Sequence, residues 1–245
     1  TAALKGHNVT VYEKQNFIGG TLGMIATAPF KKRIRELIDW YGVQLKKLGV
    51  KVVLGTEVTA DDPLLEAADQ IIVATGSKPI IPPIKGIDGA NVINVVDAHH
   101  KGVDGKNIAI CGGGLSGCDA ALELAIKGKN VTVIEMLEEC ARDVMPINKI
   151  SLMRMLAENN VKLLTNSRVI EIDSDGVIIE KQDGSKEKIE ADTVIIAFGQ
   201  TNDNDFVDWV MSKYYMKTTV VGDAENVGKA GNAIRTGFYA AMAIE

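Results

Sequence analysis

The chain has 245 residues, enough for one large domain or two intertwined ones with an ample core. Its net charge of −5 and lack of any long basic run argue against a nucleic-acid surface, and its apolar runs are strand-length, far below a membrane span. Hydrophobic content of 46% with 24 glycines fits a glycine-punctuated α/β protein, and Cys111, Cys118 and Cys140 form no C-x-x-C pair or metal-ligand set, so a reducing cytoplasm is the simplest home.

Val9 to Tyr12 is predicted as a strand ending in Glu13, which reads as either a ribose ligand or a solvated strand end. Phe17-Ile18-Gly19-Gly20-Thr21 is a glycine turn. From Pro29, the spacing of Ile34, Leu37, Ile38, Tyr41, Leu45 and Leu48 predicts an amphipathic helix with basic residues outside, closed by Gly49. Val50 to Leu54 resumes strand, and Val58 to Ala60 is a short extended piece. Asp69 to Ala74 is a buried strand running into Thr75-Gly76, where a small residue and a glycine let a flat cofactor lie against backbone. Pro79, Pro82 and Pro83 make Lys78 to Gly89 an extended crossover. His99 and His100 are expected on a solvated linker, with no third ligand at useful spacing.

The most informative stretch is 107–135, NIAICGGGLSGCDAALELAIKGKNVTVIE. An apolar strand leads into Gly112, Gly114 and Gly117 in G-x-G-x-x-G register, with Leu115 and Ser116 between the last two. A helix and a second strand ending in Glu135 follow. Gly112 permits the tight turn, Gly114 lets a pyrophosphate approach the backbone, and Gly117 lets helix pack closely on strand. Glu135 stands where a carboxylate takes both hydroxyls of an adenosine ribose. A glycine triplet alone is often a mere turn, but all five parts here arrive in order.

Pro146 to Asn159 is predicted helical, with its methionines as core filler. Val161 to Leu164, Val169 to Ile172 and Val177 to Glu180 are short strands, and Asp183-Gly184 turns the chain back through Lys186 to Ile189. Thr193 to Phe198 closes the unit at Gly199, Gln200 to Asp205 is a polar link, and Phe206 to Tyr215 is helical. Thr219 to Val221 leads into Gly222-Asp223 and a final helix from about Asn232 to Ile244. Asp223 alone could be a helix cap; in this pattern it is also a credible flavin ligand.

The chain repeats itself. LKGHNVTVYE from Leu4 matches IKGKNVTVIE from Ile126 at an offset of 122, and ADQIIVATG from Ala68 matches ADTVIIAFG from Ala191 at 123. Two related nucleotide-binding units are therefore expected. Subtracting 122 from the three glycine positions gives −10, −8 and −5, so the first unit is expected to lack its opening strand and glycine turn, and the chain to be part of something longer.

The order E-x(4)-IGG, ATG, GGGLSG…E, AFG and VGDA…AIRTGFYAA resembles the two-dinucleotide-binding-domain flavoproteins. More closely, it resembles the C-terminal half of the 2,4-dienoyl-CoA reductase and 2-enoate reductase group of NADH:flavin oxidoreductases, over essentially all of its length. The resemblance implies an α/β fold of two Rossmann-like three-layer domains. An FAD-binding domain at 1–103 and 200–245 would lack its first strand, and an NAD(P)H-binding domain would be inserted at 104–199. Glu13 would hold the FAD adenosine ribose, Gly19, Gly20, Thr75 and Gly76 would pass beside FAD, and Asp223, after Gly222, would hold its ribityl or pyrophosphate end. Gly112, Gly114, Gly117 and Glu135 would hold NADH, and the acid at 135 with no immediate arginine favours NADH over NADPH.

In that family hydride passes from NAD(P)H to FAD. Electrons continue through an iron–sulfur cluster to FMN in an N-terminal TIM barrel, which would be the partner half and where an activated C=C bond is reduced. The barrel and cluster cysteines are absent here, as is the C-x-x-C of thioredoxin reductases. No general acid or base and no metal site is expected within this chain. An electron-input module is the leading expectation; the competing readings are a nucleotide-binding fragment without turnover and a stand-alone NADH-dependent reductase of a partner protein.

Overall fold

Short β-branched runs punctuated by glycine and separated by helical stretches favour parallel strands joined by crossovers. That is what the computed structural model, which describes residues 1–142 and 144–245, contains. In chain order the first elements are β1 (Thr10–Glu13), α1 (Gly20–Ile25), α2 (Lys32–Lys47), β2 (Lys51–Leu54), α3 (Pro63–Ala67), β3 (Ile71–Val73) and β4 (Ser77–Pro79). There follow β5 (Val92–Asn94), α4 (Val95–Lys101), β6 (Asn107–Cys111), α5 (Leu115–Ile126), β7 (Asn130–Ile134), α6 (Pro146–Glu158) and β8 (Lys162–Leu164). The last are β9 (Ser167–Asp173), β10 (Gly176–Lys181), β11 (Lys186–Glu190), β12 (Thr193–Ile196), β13 (Gln200–Asn202), α7 (Asn204–Tyr214), β14 (Thr218–Val220) and α8 (Ala230–Ala243).

Two compact units result: 1–78 with 200–245, and 79–199. Residues 79–103, expected with the outer domain, pack in the inner unit because β5 pairs in parallel with β12 and α4 follows directly.

The inner unit is built on a five-stranded parallel sheet in the order β5-β12-β6-β7-β8. Period-two alternation divides its side chains between two cores. Ile108, Ile110, Val131, Val133 and Ile195 face α4, α5 and α6. Ala109, Cys111, Ile134 and Val194 face the antiparallel sheet β11-β10-β9 on the other side. The layers are therefore helices, parallel sheet and antiparallel sheet. Each fully buried Ile or Val contributes roughly 1.5–3 kcal/mol.

His99 and His100 are not on a linker. Asn94 caps α4 by accepting the Asp97 N–H at 2.9 Å, and the helix packs His99 into the interior. There His99 Nδ1 lies 2.8 Å from Oε2 of buried Glu123, whose other oxygen takes Lys127 Nζ at 2.7 Å. Asp119 is 3.7 Å from the other ring nitrogen. The cluster fixes α4 on α5. Replacing His99→Leu leaves the Glu123 carboxylate buried with one fewer partner. It should cost about 1–3 kcal/mol, read as a lower urea midpoint by far-UV circular dichroism; an unchanged midpoint would refute the pinning role.

In the outer unit β1 pairs with β2, and β3 pairs with β14, both in parallel. These are separate two-stranded sheets, and β4 with β13 makes a third. β13 lies in the stretch expected as a polar link. The short extended piece expected at Val58 to Ala60 forms no strand; after it Asp62 accepts the Leu64 N–H at 3.1 Å and, with Pro63 behind it, starts α3. A small core joins Leu65, Val73, Val207, Val210 and Ala224. Lys31 Nζ donates to the Ile25 carbonyl at 2.7 Å, and Arg35 donates to those of Ala26 and Ala28, placing cations at the negative end of α1. The helical spacing of α2 is realised, but Leu37, Trp40, Tyr41 and Val43 stay exposed together with Lys32, Arg33, Lys46 and Lys47.

Candidate functional site

In the inner unit β6 is the central strand: the chain winds outward from it through β7 to β8, and β12 and β5 lie on its other side. The carboxyl end of such a strand is where open α/β sheets bind ligands. Gly112 ends β6 with φ +115, and a Cβ there would sit 2.3 Å from the Ala197 carbonyl oxygen. Gly117, in the first turn of α5, would place a Cβ 2.0 Å from the Gly112 carbonyl oxygen. Gly114 is the opposite case. It caps α5 at φ −65 and ψ −178, and a Cβ there would meet nothing within 4 Å. Two glycines are demanded by packing, and the third keeps space clear in front of a helix N-terminus. That space is a cradle a side chain would fill, and it fits the pyrophosphate of a dinucleotide.

Glu135 ends the next strand. Its Oε2 accepts the Gly113 N–H at 2.7 Å and its Oε1 accepts the Leu137 N–H at 2.8 Å, so the carboxylate is held against the glycine turn. A cleft of about 420 Å³ opens there, lined by Gly113, Gly114, Glu135, Leu137, Glu139, Ala141 and Arg142. Ala141 donates its N–H to the Gly113 carbonyl at 2.7 Å from a left-handed conformation, φ +51. Glu139 pairs with Lys149 of α6 at 2.7 Å, which holds its carboxyl below the ordinary range.

The structure thus brings Gly112, Gly114, Gly117 and Glu135 together, with Leu115 and Ser116 in the first turn of α5. Gly199, also at positive φ, follows β12 and packs against Ile80. Gly113 and the wall at 137–142 were not anticipated. Arg142 is the one that bears on chemistry: no arginine follows Glu135 immediately, yet this one lines the same cleft. In sequence it sits in a polar loop that reads no differently from solvated surface.

In the outer unit Glu13 accepts the Gln15 N–H at 2.8 Å. Gly20 and Gly76 both lie at positive φ, and a Cβ at either would meet nothing within 4 Å, while Gly19 stands at φ +109 against Ile38. Thr75 is exposed beside Gly76. Because β3 and β14 are paired, Ser77 reaches Asp223, with Ser77 Oγ 3.4 Å from Asp223 Oδ2. The other Asp223 oxygen accepts the Gly228 N–H at 3.0 Å, and Asn202 donates to the Asp223 and Ala224 carbonyls. Gly222 donates its N–H to Thr236 Oγ1 of α8 at 2.9 Å. Open space over Gly20 and Gly76 fits a flat cofactor laid on backbone.

The model of the pyridine nucleotide-disulphide oxidoreductase family matches residues 1–223. The chain belongs to that family. Its members bind FAD and NAD(P)H, and the chain is a module related to NAD(P)H-dependent flavoprotein oxidoreductases. An NADH oxidase of Thermoanaerobacter brockii is 33% identical over 249 residues, covering 100% of this chain and 38% of that protein. A cinnamate reductase of Clostridium sporogenes is 30% identical, covering 99% of this chain and 36% of its own length. Among solved structures, a 2-naphthoyl-CoA reductase with 2-naphthoyl-CoA is 36% identical with a TM-score of 0.94, covering 100% of this chain and 37% of the other. The chain spans well under half the length of these relatives. The family model carries a disulphide in its description, but among the described residues all three cysteines are free thiols. Among those residues no helix is long and apolar enough to cross a membrane.

Proposed function

We propose that the chain is the electron-input module of a longer reductase, with NADH on residues 79–199 and FAD on 1–78 with 200–245. The observation that carries this is the open space at Gly114, set between a helix N-terminus and a carboxylate fixed by two backbone amides. Gly114 and the first amides of α5 hold the pyrophosphate, with Leu115 and Ser116 in the same turn, and Glu135 accepts the ribose hydroxyls. Glu13 takes the corresponding ribose of FAD, Gly19, Gly20, Thr75 and Gly76 give it a backbone surface, and Asp223 after Gly222 orients its polyol. Gly199 closes the inner strand beside the dinucleotide. When both cofactors are bound, the nicotinamide supplies a hydride that the flavin accepts. The chain contributes positioning, and no side chain is assigned as acid or base.

Glu135 is an acceptor and repels a 2′-phosphate, so NADH is preferred; Arg142 on the same wall narrows that preference. The finer reading is that electrons leave through an iron–sulfur cluster to FMN in a TIM-barrel half, to reduce the C=C bond of an enoate or enoyl-CoA. The names of the cinnamate and 2-naphthoyl-CoA reductases, and the share of each that this chain covers, support it. The free thiols support a cytoplasmic setting.

The test is an anaerobic titration of the chain, preincubated with FAD, with NADH and separately with NADPH. Protein-retained flavin that bleaches at stoichiometric NADH, and at higher NADPH, is the expected result. Binding of NADH without retained flavin would replace this reading with that of a nucleotide-binding fragment lacking turnover. Failure to bind either would overturn the residue assignments.

A further inference from the structure

β1 and β7 share one sequence repeat, at an offset of 122, and β3 and β12 share the other, at 123. β1 pairs in parallel with β2 as β7 does with β8, and β3 pairs with β14 as β12 does with β5. In the inner sheet β6 stands between β12 and β7, with Ile110 in register with Ile195 on one side and Val133 on the other. Among the described residues no strand stands between β3 and β1, so each keeps one edge unpaired. The side chains record the same gap. Ile110, Val133 and Ile195 are buried at 0% exposure, whereas Val11 and Ile72, the repeat equivalents of the last two, are 37% and 39% exposed.

The helices agree. α5, which follows β6, shares its core with Val95 and Ala98 of α4 and Leu156 of α6. α8 is the next α-helix after β14 as α4 is after β5, and α2 leads into β2 as α6 leads into β8. Yet α2 buries no residue, and α8 leaves Ile234, Phe238 and Met242 exposed at four-residue spacing, one stripe along the helix.

α5 ends with the Lys127, Gly128 and Lys129 amides bonded to the carbonyls of Glu123, Ala125 and Leu124. The Lys5, Gly6 and His7 amides bond those of Thr1, Ala3 and Ala2, the same pattern 122 residues earlier. Gly6 is left-handed at φ +96, as Gly128 is at φ +82. Ala2–Lys5 is thus built as the last turn of a helix, and Lys5 Nζ ties it to the carbonyls of Met242 and Ile244 at the end of α8. In the inner unit Lys129 donates to the carbonyls of Val103 and Gly105, on the way into β6. Its equivalent, His7, has a buried Nε2 with no hydrogen-bond partner among the described residues.

We propose that the space between β3 and β1 is a docking slot for one parallel strand, followed by a glycine turn and a helix that run in the same polypeptide into Ala2–Lys5. The strand sets a β-branched apolar residue between Ile72 and Val11, as Ile110 stands between Ile195 and Val133. Its backbone pairs both open edges, its helix covers the α8 stripe, and the chain ahead of it offers a carbonyl to His7. A second copy of this chain has no free strand of this kind, because its β6 is already paired on both sides. The source in the same polypeptide rests on the reading of the chain as part of a longer protein; the slot does not.

In the deciding experiment a duplicate of residues 103–122 is placed directly ahead of Thr1, so that it meets Thr1 as Leu122 meets Glu123. Backbone amide exchange is followed by mass spectrometry. Exchange in β1 and β3 should slow by at least about tenfold relative to the unextended chain. Ile110→Asp in the duplicate alone puts a carboxylate in the apolar gap and should abolish that protection. No slowing, or the same slowing with aspartate, overturns the proposal. So does an unextended chain that sediments as a dimer with β1 and β3 already protected, since a second copy would then fill the slot. Protection by the same segment added as a separate peptide, without protection by the fused one, would uphold the slot and overturn its source in the same polypeptide.

Discussion

Gly114→Ala is expected to weaken NADH binding by about 10- to 100-fold while leaving the fold in place. The backbone at 114 is one that alanine adopts freely, and the added methyl meets no protein atom within 4 Å. At the first position before α5, alanine is somewhat worse than glycine, a cost below about 1 kcal/mol and at most a few degrees in melting temperature. The methyl instead projects into the space assigned to the pyrophosphate. Calorimetric titration of the variant, with its melting curve beside it, decides the matter. Undiminished affinity in a folded variant would mean that no phosphate approaches Gly114, and the assignment of the cleft would fall. Glu135 would then be only a carboxylate bracing the Gly113 and Leu137 amides.

What could be read in advance was whatever is coded locally. The run from Ile108 to Glu135 announced strand, turn, helix and strand because two of its glycines are required by close backbone contacts, Gly112 at the Ala197 carbonyl and Gly117 at that of Gly112. The repeat at Val9–Glu13 carried the same expectation to β1. Distant pairing was not coded in this way. Val92–Asn94 carries no mark that it will lie beside β12, so residues 79–103 were expected with the wrong neighbours. His99 looked solvated because its partner Glu123 is 24 residues away and on a helix face that only packing defines. Arg142 illustrates the same limit at the cleft. A loop of charged residues acquires meaning only when Ala141, bonded to the Gly113 carbonyl, brings it against the glycine turn.

Gly112→Ala is the counterpart to Gly114→Ala, expected to spare no part of the inner unit. Two separate demands act at this position. Its φ of +115 is strained for any residue with a side chain, and the Cβ would stand 2.3 Å from the Ala197 oxygen and 2.7 Å from its carbon. Those are backbone atoms of the residue just after β12, held by hydrogen bonds that continue the ladder: Ala197 donates to the Cys111 carbonyl at 2.8 Å, and Gly112 donates to that of Ile134 at 2.9 Å. Relief requires β6 to separate from β12 at the point where the turn begins, so the cost should reach about 3 kcal/mol or more. The two units allow a sharp readout. Both tryptophans, Trp40 and Trp209, lie in the outer unit, whereas circular dichroism reports on both units. The variant should lose stability in the dichroism transition of the inner unit and its NADH binding, with the tryptophan fluorescence transition nearly unmoved. Equal shifts in both signals would show that the units unfold as one, and no shift in either would show that β12 gives way at little cost, contrary to the close approach at Gly112.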